Sequence, residues 1–348
     1  MATLKELPSY NKEYTDFLRR RFLIMKKLIC VMLTIMMIVS LFAGCGNTAD
    51  DGIYKIAIVQ QLDHASLNEI RAAIEAELDA IASEKSLKIE YKHFNGQNDP
   101  SVLNQIGAQV VSDGYDAIIP IAPTAAQSMV TAAEGKNIPI IYAAISDPVE
   151  AGLTGFPHVT GVSDALNTPF ILDMMLAIDA NVETVGLLYS NSEPNSVTPI
   201  KEAKAYLDSK GIAYIEKTGH TADEVLTAVS ALVGRCDAVF TPTDNAIMAA
   251  EAAVAETLNE AGIPHYAGAD SFVTSGAFAT CGVNYTELGT KTADIAFDIL
   301  MGGAIGDFHV MDGGIITVNT DTAAACGIDY SVFNTMANTV NAVSTIAD

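Results

Sequence analysis

Short apolar segments alternate with segments of helical periodicity along most of this chain. Residues 53–59 are rich in β-branched side chains, and after them apolar residues such as Leu67, Ile70 and Ile74 recur every three or four positions. Strands that alternate with helices form βαβ units around a parallel sheet. Such strands are apolar on both faces because helices cover both faces of the sheet. The pattern therefore predicts an α/β fold.

The alternation occurs in two series, which are separated by residues 146–166, a stretch containing several glycines and prolines. The first series occupies residues 53–144 and the second begins at residue 168, with no sequence repeat visible between them. A chain of 348 residues is long enough for two domains with sizeable cores. We therefore expect two doubly wound parallel-sheet lobes joined by a hinge.

The C-terminal tail departs from a simple tandem arrangement. It contains a predicted strand at 277–283, a helix at 286–301 and a strand at 314–318. Part of this tail could return to the first lobe, as in a hinged binding protein with several crossovers. The predicted boundaries are therefore 53–165 with 276–312 for the first lobe and 166–275 with 313–348 for the second.

The N-terminal region has the pattern of an export signal. Met25-Lys26-Lys27 precedes an uncharged apolar run, 28–43, and Cys45 follows Gly44. This arrangement resembles a bacterial lipoprotein signal, in which the cysteine is lipidated. We expect 1–24 to be a start-site artefact, 25–44 to be the signal peptide, and 45–52 to hold the lipidated Cys45 and a tether. The alternative is a cytoplasmic extension before a membrane anchor, but the run is shorter than the ~20 residues of a spanning helix.

The charge of the chain limits its partners. The formal net charge is −23, and an acidic surface repels both nucleic acid and anionic lipid headgroups. Membrane attachment would therefore come only from the lipid on Cys45. The other cysteines of the predicted mature chain, Cys236, Cys281 and Cys326, form no C-x-x-C pair, so neither a metal site nor a disulfide framework is expected. No cofactor is predicted.

Polar residues follow the predicted strands, at the sheet edge where ligands of open α/β folds bind. Asp244 or Asp270 could bind an ammonium group, while Thr124 with the Ala125 amide could bind a carboxylate. Such a cleft would suit a zwitterion. The candidate ligand-binding residues are Gln61, His64, Thr124, Ala125, Ser146, Asp147, Asn195, Ser196, Thr243, Asp244, Asn245 and Asp270.

Each of these candidates also has a structural interpretation. The similar turns at 122–126 and 241–245 have threonine and aspartate where helix N-caps prefer them. His64 could be a structural histidine, and residues 193–196 could form a turn and a cap. An enzyme is the weaker hypothesis, because no G-x-S-x-G, G-x-G-x-x-G, P-loop or H-E-x-x-H motif occurs. His220 and Glu224 are better explained as a capping turn.

The turns, taken in order, resemble the substrate-binding lipoproteins of ATP-driven importers for amino acids, the tryptophan/tyrosine-type branch. The resemblance covers roughly residues 53–318. The motifs that carry it include Asp63-His64-Ala65-Ser66-Leu67, Pro123-Thr124-Ala125-Ala126-Gln127, Ser146-Asp147-Pro148-Val149, Asn195-Ser196-Val197, Pro242-Thr243-Asp244-Asn245 and Tyr285-Thr286-Glu287-Leu288-Gly289. Two departures are Ala65, where the family usually has proline, and Asn68, where aspartate is common. The chain has no tryptophan, so an aromatic wall of the site must come from tyrosine or phenylalanine.

The resemblance implies a type I periplasmic binding protein fold with three crossovers and a ligand enclosed between the lobes. It implies a monomeric receptor, lipid-anchored on the extracytoplasmic face of the cell membrane. This receptor would deliver an amino acid or a similar small zwitterion, with aromatic amino acids among the candidates, to an ABC permease and its ATPase. A ligand sensor without transport is the alternative. The residues that would face the cleft are His64, Thr124, Ser146, Asp147, Asn195, Ser196, Asp244, Asn245 and Asp270.

Overall fold

The computed structural model describes residues 52–346. The predicted start at Met25, the signal peptide and the lipidated Cys45 lie outside these residues. The strands are β1 Ile53–Gln60, β2 Lys88–Asn95, β3 Ala117–Ile121, β4 Ile140–Ala143, β5 Val159–Ser163, β6 Thr184–Tyr189, β7 Ala213–Thr218, β8 Ala238–Thr241, β9 His265–Ala267, β10 Ala279–Gly282, β11 His309–Val310, β12 Ile315–Asn319 and β13 Thr339–Val343. The α-helices are α1 Ala65–Lys85, α2 Pro100–Asp113, α3 Pro123–Ala132, α4 Thr168–Ile178, α5 Pro194–Lys210, α6 Ala222–Ser230, α7 Asn245–Met248, α8 Glu251–Glu260, α9 Asp270–Thr274, α10 Tyr285–Leu300 and α11 Thr320–Cys326. A 3₁₀ helix covers Ser331–Thr335.

The first lobe is built on a parallel sheet of order β11-β5-β4-β3-β1-β2. Side chains of β1 point alternately to the two faces. Ile56 and Ile58 enter one core with α1, whereas Ala57 and Val59 enter the other with α2 and α3. The continuous apolar character of this strand follows from its burial on both faces.

The second lobe is built on a sheet of order β13-β12-β10-β9-β8-β6-β7. All its neighbouring strands are parallel except β10 and β12, which are antiparallel. The two sheets and their helices confirm the predicted α/β class with two doubly wound lobes.

The chain crosses between the sheets three times: after β5, between β10 and α10, and between β11 and β12. The first-lobe return therefore starts later than the predicted residue 276. The reason is that Ala279 and Thr280 of β10 pair with Tyr266 and Ala267 of β9, which leaves the strand in the second sheet.

Helix α10 returns to the first lobe and packs along α1. Gly289 allows the close approach, because a Cβ there would meet the Cβ of Ala73 and the carbonyl oxygen of Ile70 at 2.6 Å each. Leu288 and Ala293 of α10 are fully buried in the same core as Ile70. The tail thus completes the core of the first lobe.

Three regions differ from the sequence prediction. The expected single helix 245–261 is two helices, because the backbone leaves helical geometry at Ala250 (φ −116°, ψ 6°). Strand β5 lies within residues 146–166, the stretch between the two series in which no strand was predicted. Its Gly161 leaves room for the backbone and ring of Tyr142. The edge strand β13 is half exposed, so its sequence lacks a strong apolar period.

Candidate ligand-binding cleft

Residues at the strand ends of the two lobes are hydrogen-bonded directly to one another. Gln61 Nε2 donates to Glu193 Oε1 over 3.0 Å, and the hydroxyls of Ser146 and Thr243 are 2.8 Å apart. The hydroxyls of Ser66 and Ser271 also pair. The lobes are therefore closed on each other.

A small cavity remains between the closed lobes. It is lined by His64, Ser66, Leu67, Ala144, Asp164, Asn195, Thr243, Asp244, Asn245, Met248, Ala269, Phe272 and Tyr285. The volume open to the centre of a water molecule is about 10 Å³, which is room for about one water. The cavity is therefore too small for a ligand the size of an amino acid, which the cleft can hold only when the lobes are further apart than they are here.

Asp244 is the N-cap of α7 and is completely buried. Its Oδ1 accepts from the N–H groups of Ala246 and Ile247 at 3.0 Å each. Its Oδ2 accepts from the Ser190 N–H and the Ser196 hydroxyl, both at 2.6 Å. Burial raises the pKa of this carboxyl group, and the four hydrogen bonds oppose that rise. The capping interpretation of this turn is correct, and both oxygens of Asp244 are engaged within the second lobe.

Asp270, unlike Asp244, has a carboxylate oxygen without a hydrogen-bond partner. It is the first residue of α9 and lies next to the cavity-lining Ala269. Its Oδ1 is buried and has no hydrogen-bond partner. Burial, with the charge of Glu69 from the first lobe, raises its pKa to about 6. Asp270 therefore has an acceptor oxygen that a ligand could use.

The predicted carboxylate site at Thr124 and Ala125 is occupied by the protein itself. The Thr124 N–H donates to Gln61 Oε1 at 3.1 Å, so the Gln61 amide takes the place of an N-cap for α3. Ala125 is fully buried in the first-lobe core. Neither residue is among those that line the cavity.

A chain of polar groups joins His64 to Glu193 across the cleft. His64 Nε2 is 3.0 Å from Asn245 Oδ1, and Asn245 Nδ2 donates to Glu193 Oε2 over 2.8 Å. Burial lowers the pKa of His64 to about 4, so its ring is neutral. Burial and the charge of Asp244 raise the pKa of Glu193 to about 7. Closure therefore suppresses the charge of the base from the first lobe and of the acid from the second.

Of the remaining candidates, Ser146, Asn195 and Asp147 join the two lobes, whereas Ser196 bonds within the second lobe. Ser146 N–H donates to Asn195 Oδ1 at 2.8 Å, which links the first lobe to the start of α5. Outside the cavity, the Thr198 hydroxyl donates to Asp147 Oδ2 at 2.6 Å. The Ser196 hydroxyl binds Asp244, as described above.

Sequence reasoning missed Asp164, Glu193 and Tyr285 as site residues. Asp164 follows β5 in the first crossover and accepts from the Ser146 hydroxyl at 2.9 Å. Tyr285 starts α10 after the second crossover and donates to Asp164 Oδ2 at 3.1 Å. Glu193 belongs to the strand-end segment 193–196 and Tyr285 to the motif 285–289, so both had a sequence signal. The signal for Asp164 was its position beside the predicted boundary at residue 165.

One buried trio in the second lobe has the hydroxyl–histidine–carboxylate order of a catalytic triad. His265 lies between Thr241 Oγ1, 2.8 Å from Nε2, and Glu251 Oε1, 3.0 Å from Nδ1. His265 and Thr241 are fully buried and Glu251 is 1% exposed, so no substrate reaches them. The trio ties α8 to the sheet. Within residues 52–346, no cluster of histidine, cysteine, aspartate or glutamate could hold a metal ion.

The sequence profile of the family described as "ABC transporter substrate binding protein" matches residues 55–336. The chain belongs to this family. The resemblance stated from the motifs is thus confirmed, and the protein binds a solute rather than catalysing a reaction. Proteins of this family act outside the cytoplasm, and so does this one. No helix within the described part of the chain is long and apolar enough to span a membrane.

Two related sequences show how specific the similarity is. A "Tyrosine-binding protein" of Clostridioides difficile (strain R20291) is 32% identical over 319 residues, which cover 86% of this chain and 92% of the relative. An uncharacterized protein of Rickettsia prowazekii is 26% identical over 260 residues, which cover 74% and 80% of the two chains.

Two solved structures differ in their fit to this chain. A Streptococcus domain in complex with L-Trp is 29% identical, with a TM-score of 0.76, and covers 82% of this chain and 99% of its own. The ligand-free, open structure of a Clostridium difficile substrate-binding protein is 31% identical, with a TM-score of 0.64, over 84% and 100% of the chains. At nearly equal identity, the TM-score is higher for the ligand complex than for the ligand-free, open structure.

Proposed function

We propose that this protein captures an aromatic amino acid between its two lobes and delivers it to an ABC importer. The observation that carries the proposal is the interlobe cavity, which combines apolar walls from Leu67, Met248 and Phe272 with the polar groups of the strand ends. Small-molecule sites have this composition: mostly apolar walls with few polar groups that fix orientation. The names of the tyrosine-binding relative and of the L-Trp complex favour an aromatic side chain.

Within this site, Asp270 is the proposed partner of the ligand ammonium group, because Asp244 is saturated by its own lobe. The start of α1 is the proposed place for the carboxylate. No side chain caps this helix at His64, and Ser66 next to it lines the cavity. Gln61, Thr124 and Ala125 would support the site without lining the cavity.

Closure is the proposed mechanism of capture. A ligand that contacts both lobes shifts the open–closed equilibrium by its differential affinity for the closed form. The interlobe hydrogen bonds of Gln61, Ser146 and Asp147 would be made in the closed form and lost on opening. The closed form would then dock on the permease.

Attachment to the membrane completes the proposal. A lipid on Cys45 would hold the receptor, as a monomer, near the permease and its ATPase, with 45–52 as the tether. Labelled fatty acid should be incorporated into the protein in its native type of host and should be lost in the variant Cys45→Ser.

Isothermal titration against the twenty amino acids tests the ligand class. We expect tyrosine or tryptophan to bind at least tenfold more tightly than any non-aromatic amino acid. The matched control is Asp113→Asn, an exposed carboxylate on α2, which should leave binding unchanged. If protein verified to be ligand-free bound no aromatic amino acid, the proposed function would be wrong.

A further inference from the structure

The charged groups around the cavity are unevenly distributed. Asp164 and Asp244 line it, and Asp270 lies beside it. Among the described residues that line it there is no lysine or arginine, and the one basic side chain, His64, is held neutral by burial. Both oxygens of Asp164 and of Asp244 are hydrogen-bonded within the protein, so Asp270 is the acid that keeps an oxygen for a ligand cation. No cationic side chain among the described lining residues is available to a ligand anion.

Several backbone donors at the strand ends are also occupied. The Thr124 N–H binds Gln61, and the Ser146 N–H binds Asn195. The first-turn N–H groups of α7 bind Asp244. What remains for a carboxylate is the first turn of α1, whose backbone N–H groups are neutral donors, because the Ser66 hydroxyl is already paired with that of Ser271. Hydrogen bonds in which both partners are charged are the stronger kind, so the ammonium end should contribute more to binding.

We propose that the cleft also binds arylalkyl amines, such as tyramine, that carry an ammonium group and an aromatic ring but no carboxylate. This inference rests on the proposed function, since the same cleft holds the aromatic ring. The ammonium group of such an amine pairs with Asp270 Oδ1, which is buried without a partner in the closed form. The strongly negative charge of the chain raises the local concentration of cations and assists their entry.

Three ligands with the same ring separate the contributions of the two charged groups. Tyrosine has both groups, tyramine has only the ammonium, and 3-(4-hydroxyphenyl)propionate has only the carboxylate. Isothermal titration of the purified protein at pH 7.5 should show tyramine binding at least tenfold more tightly than the propionate. A smaller difference, or the reverse order, overturns the proposal.

The variant Asp270→Asn tests the named partner. It should weaken tyramine binding at least tenfold while leaving propionate binding unchanged or improved, and Asp270→Glu should restore part of the tyramine affinity. A general structural defect would weaken both ligands alike, and that result overturns the assignment to Asp270. Asp113→Asn again serves as the exposed control.

The two proposals fail in different ways. If tyrosine binds and tyramine fails the tenfold criterion, the amine inference is wrong and the amino-acid function stands. If tyramine binds and no aromatic amino acid does, the amino-acid function is wrong and the amine inference stands. If none of the three ring compounds binds and no aromatic amino acid does, both are wrong.

Discussion

The two similar turns of the sequence, 122–126 in the first lobe and 241–245 in the second, are built differently. In the first, the α3 N-terminus is capped from outside by Gln61, which also reaches Glu193 in the opposite lobe. In the second, Asp244 caps α7 and keeps all its hydrogen bonds inside its own lobe. The cap of the first turn is therefore coupled to the closure of the lobes through Gln61, whereas the Asp244 cap of the second turn is made entirely within its own lobe. The second turn meets the first lobe through other residues, Thr243 and Asn245.

The same contrast extends to the two faces of the cleft. The first lobe contributes mainly neutral groups, such as Gln61, His64 and Ser146, and the second contributes the acids Glu193, Asp244 and Asp270. The α7 cap comes from Asp244 in the same turn, which makes all its hydrogen bonds within the second lobe. The α3 cap comes from Gln61, which also bonds Glu193 and so connects the two lobes.

Asp244→Ala should have the largest effect. It removes the acceptor of four buried hydrogen bonds, including the cap of α7, and should lower the free energy of unfolding by about 2–4 kcal/mol. Urea denaturation followed by circular dichroism measures this loss. An unchanged urea midpoint would show that the hydrogen bonds of Asp244 do not stabilise the second lobe.

His64→Gln should change the pH dependence of ligand binding. The pKa of His64 is about 4 in the closed form and is expected near its usual 6.5 when the lobes open. The open form then holds one more proton between these values, so closure weakens as pH falls through 6.5. The measured quantity is the affinity of His64→Gln for tyrosine divided by that of wild type. This ratio should be up to about thirtyfold larger at pH 5 than at pH 7.5.

Glu193→Gln is the matched variant on the opposite face and should behave in the opposite way. The pKa of Glu193 is raised to about 7 in the closed form, so closure takes up a proton between pH 4.5 and 7 and becomes less favourable as pH rises. The affinity of Glu193→Gln for tyrosine, divided by that of wild type, should therefore increase from pH 5 to 7 and then level off. Equal slopes for the two variants in titrations across this range would contradict the acid–base contrast between the faces.

Gln61→Ala should have a moderate effect on stability and a clear effect on closure. It removes the surrogate cap at Thr124 and the bond to Glu193, at a cost of about 1–2 kcal/mol. Small-angle scattering should show a smaller closed fraction in the presence of saturating tyrosine. If its ligand affinity matched that of wild type, the first turn would not be coupled to closure.

Thr124→Ala should have almost no effect, about 0.5 kcal/mol or less, because the contribution of this residue comes from its backbone N–H. Thr243→Ala should cost about 1 kcal/mol, because its hydroxyl is bonded to Ser146 across the cleft. Thermal unfolding of the two variants side by side gives the comparison. Equal losses would remove the distinction between the two turns.

Much of the fold could be predicted because it depends on local pattern. The apolar period of α1 and the continuous apolar character of β1 reflect burial that each element undergoes by itself. The boundary at residue 276 was wrong because the sheet to which β10 belongs is decided by pairing with β9, which is not a local property. The edge strand β13 was missed because it is only half buried.

The sequence named candidate residues at the strand ends but not the contacts that each of them makes. Strand ends drew attention to Asp244 and Asp270, yet only three-dimensional contacts show that one is saturated and the other has a free oxygen. Gln61 was among the candidates, but its use as a cap for α3 depends on a neighbour 63 positions away. Such long-range hydrogen bonds leave no periodic signal in the sequence.

The return of α10 to the first lobe has a consequence for the order in which the protein folds during synthesis. Domains usually fold in the order in which they leave the ribosome. Here Ile70 and Ile74 of α1 share a core with Leu288 and Ala296, which are synthesised after most of the second lobe. The first lobe therefore remains incomplete, with part of its apolar surface exposed, until nearly the whole chain has emerged. Because this protein works outside the cytoplasm, we expect the delay to favour export of the chain before it has folded.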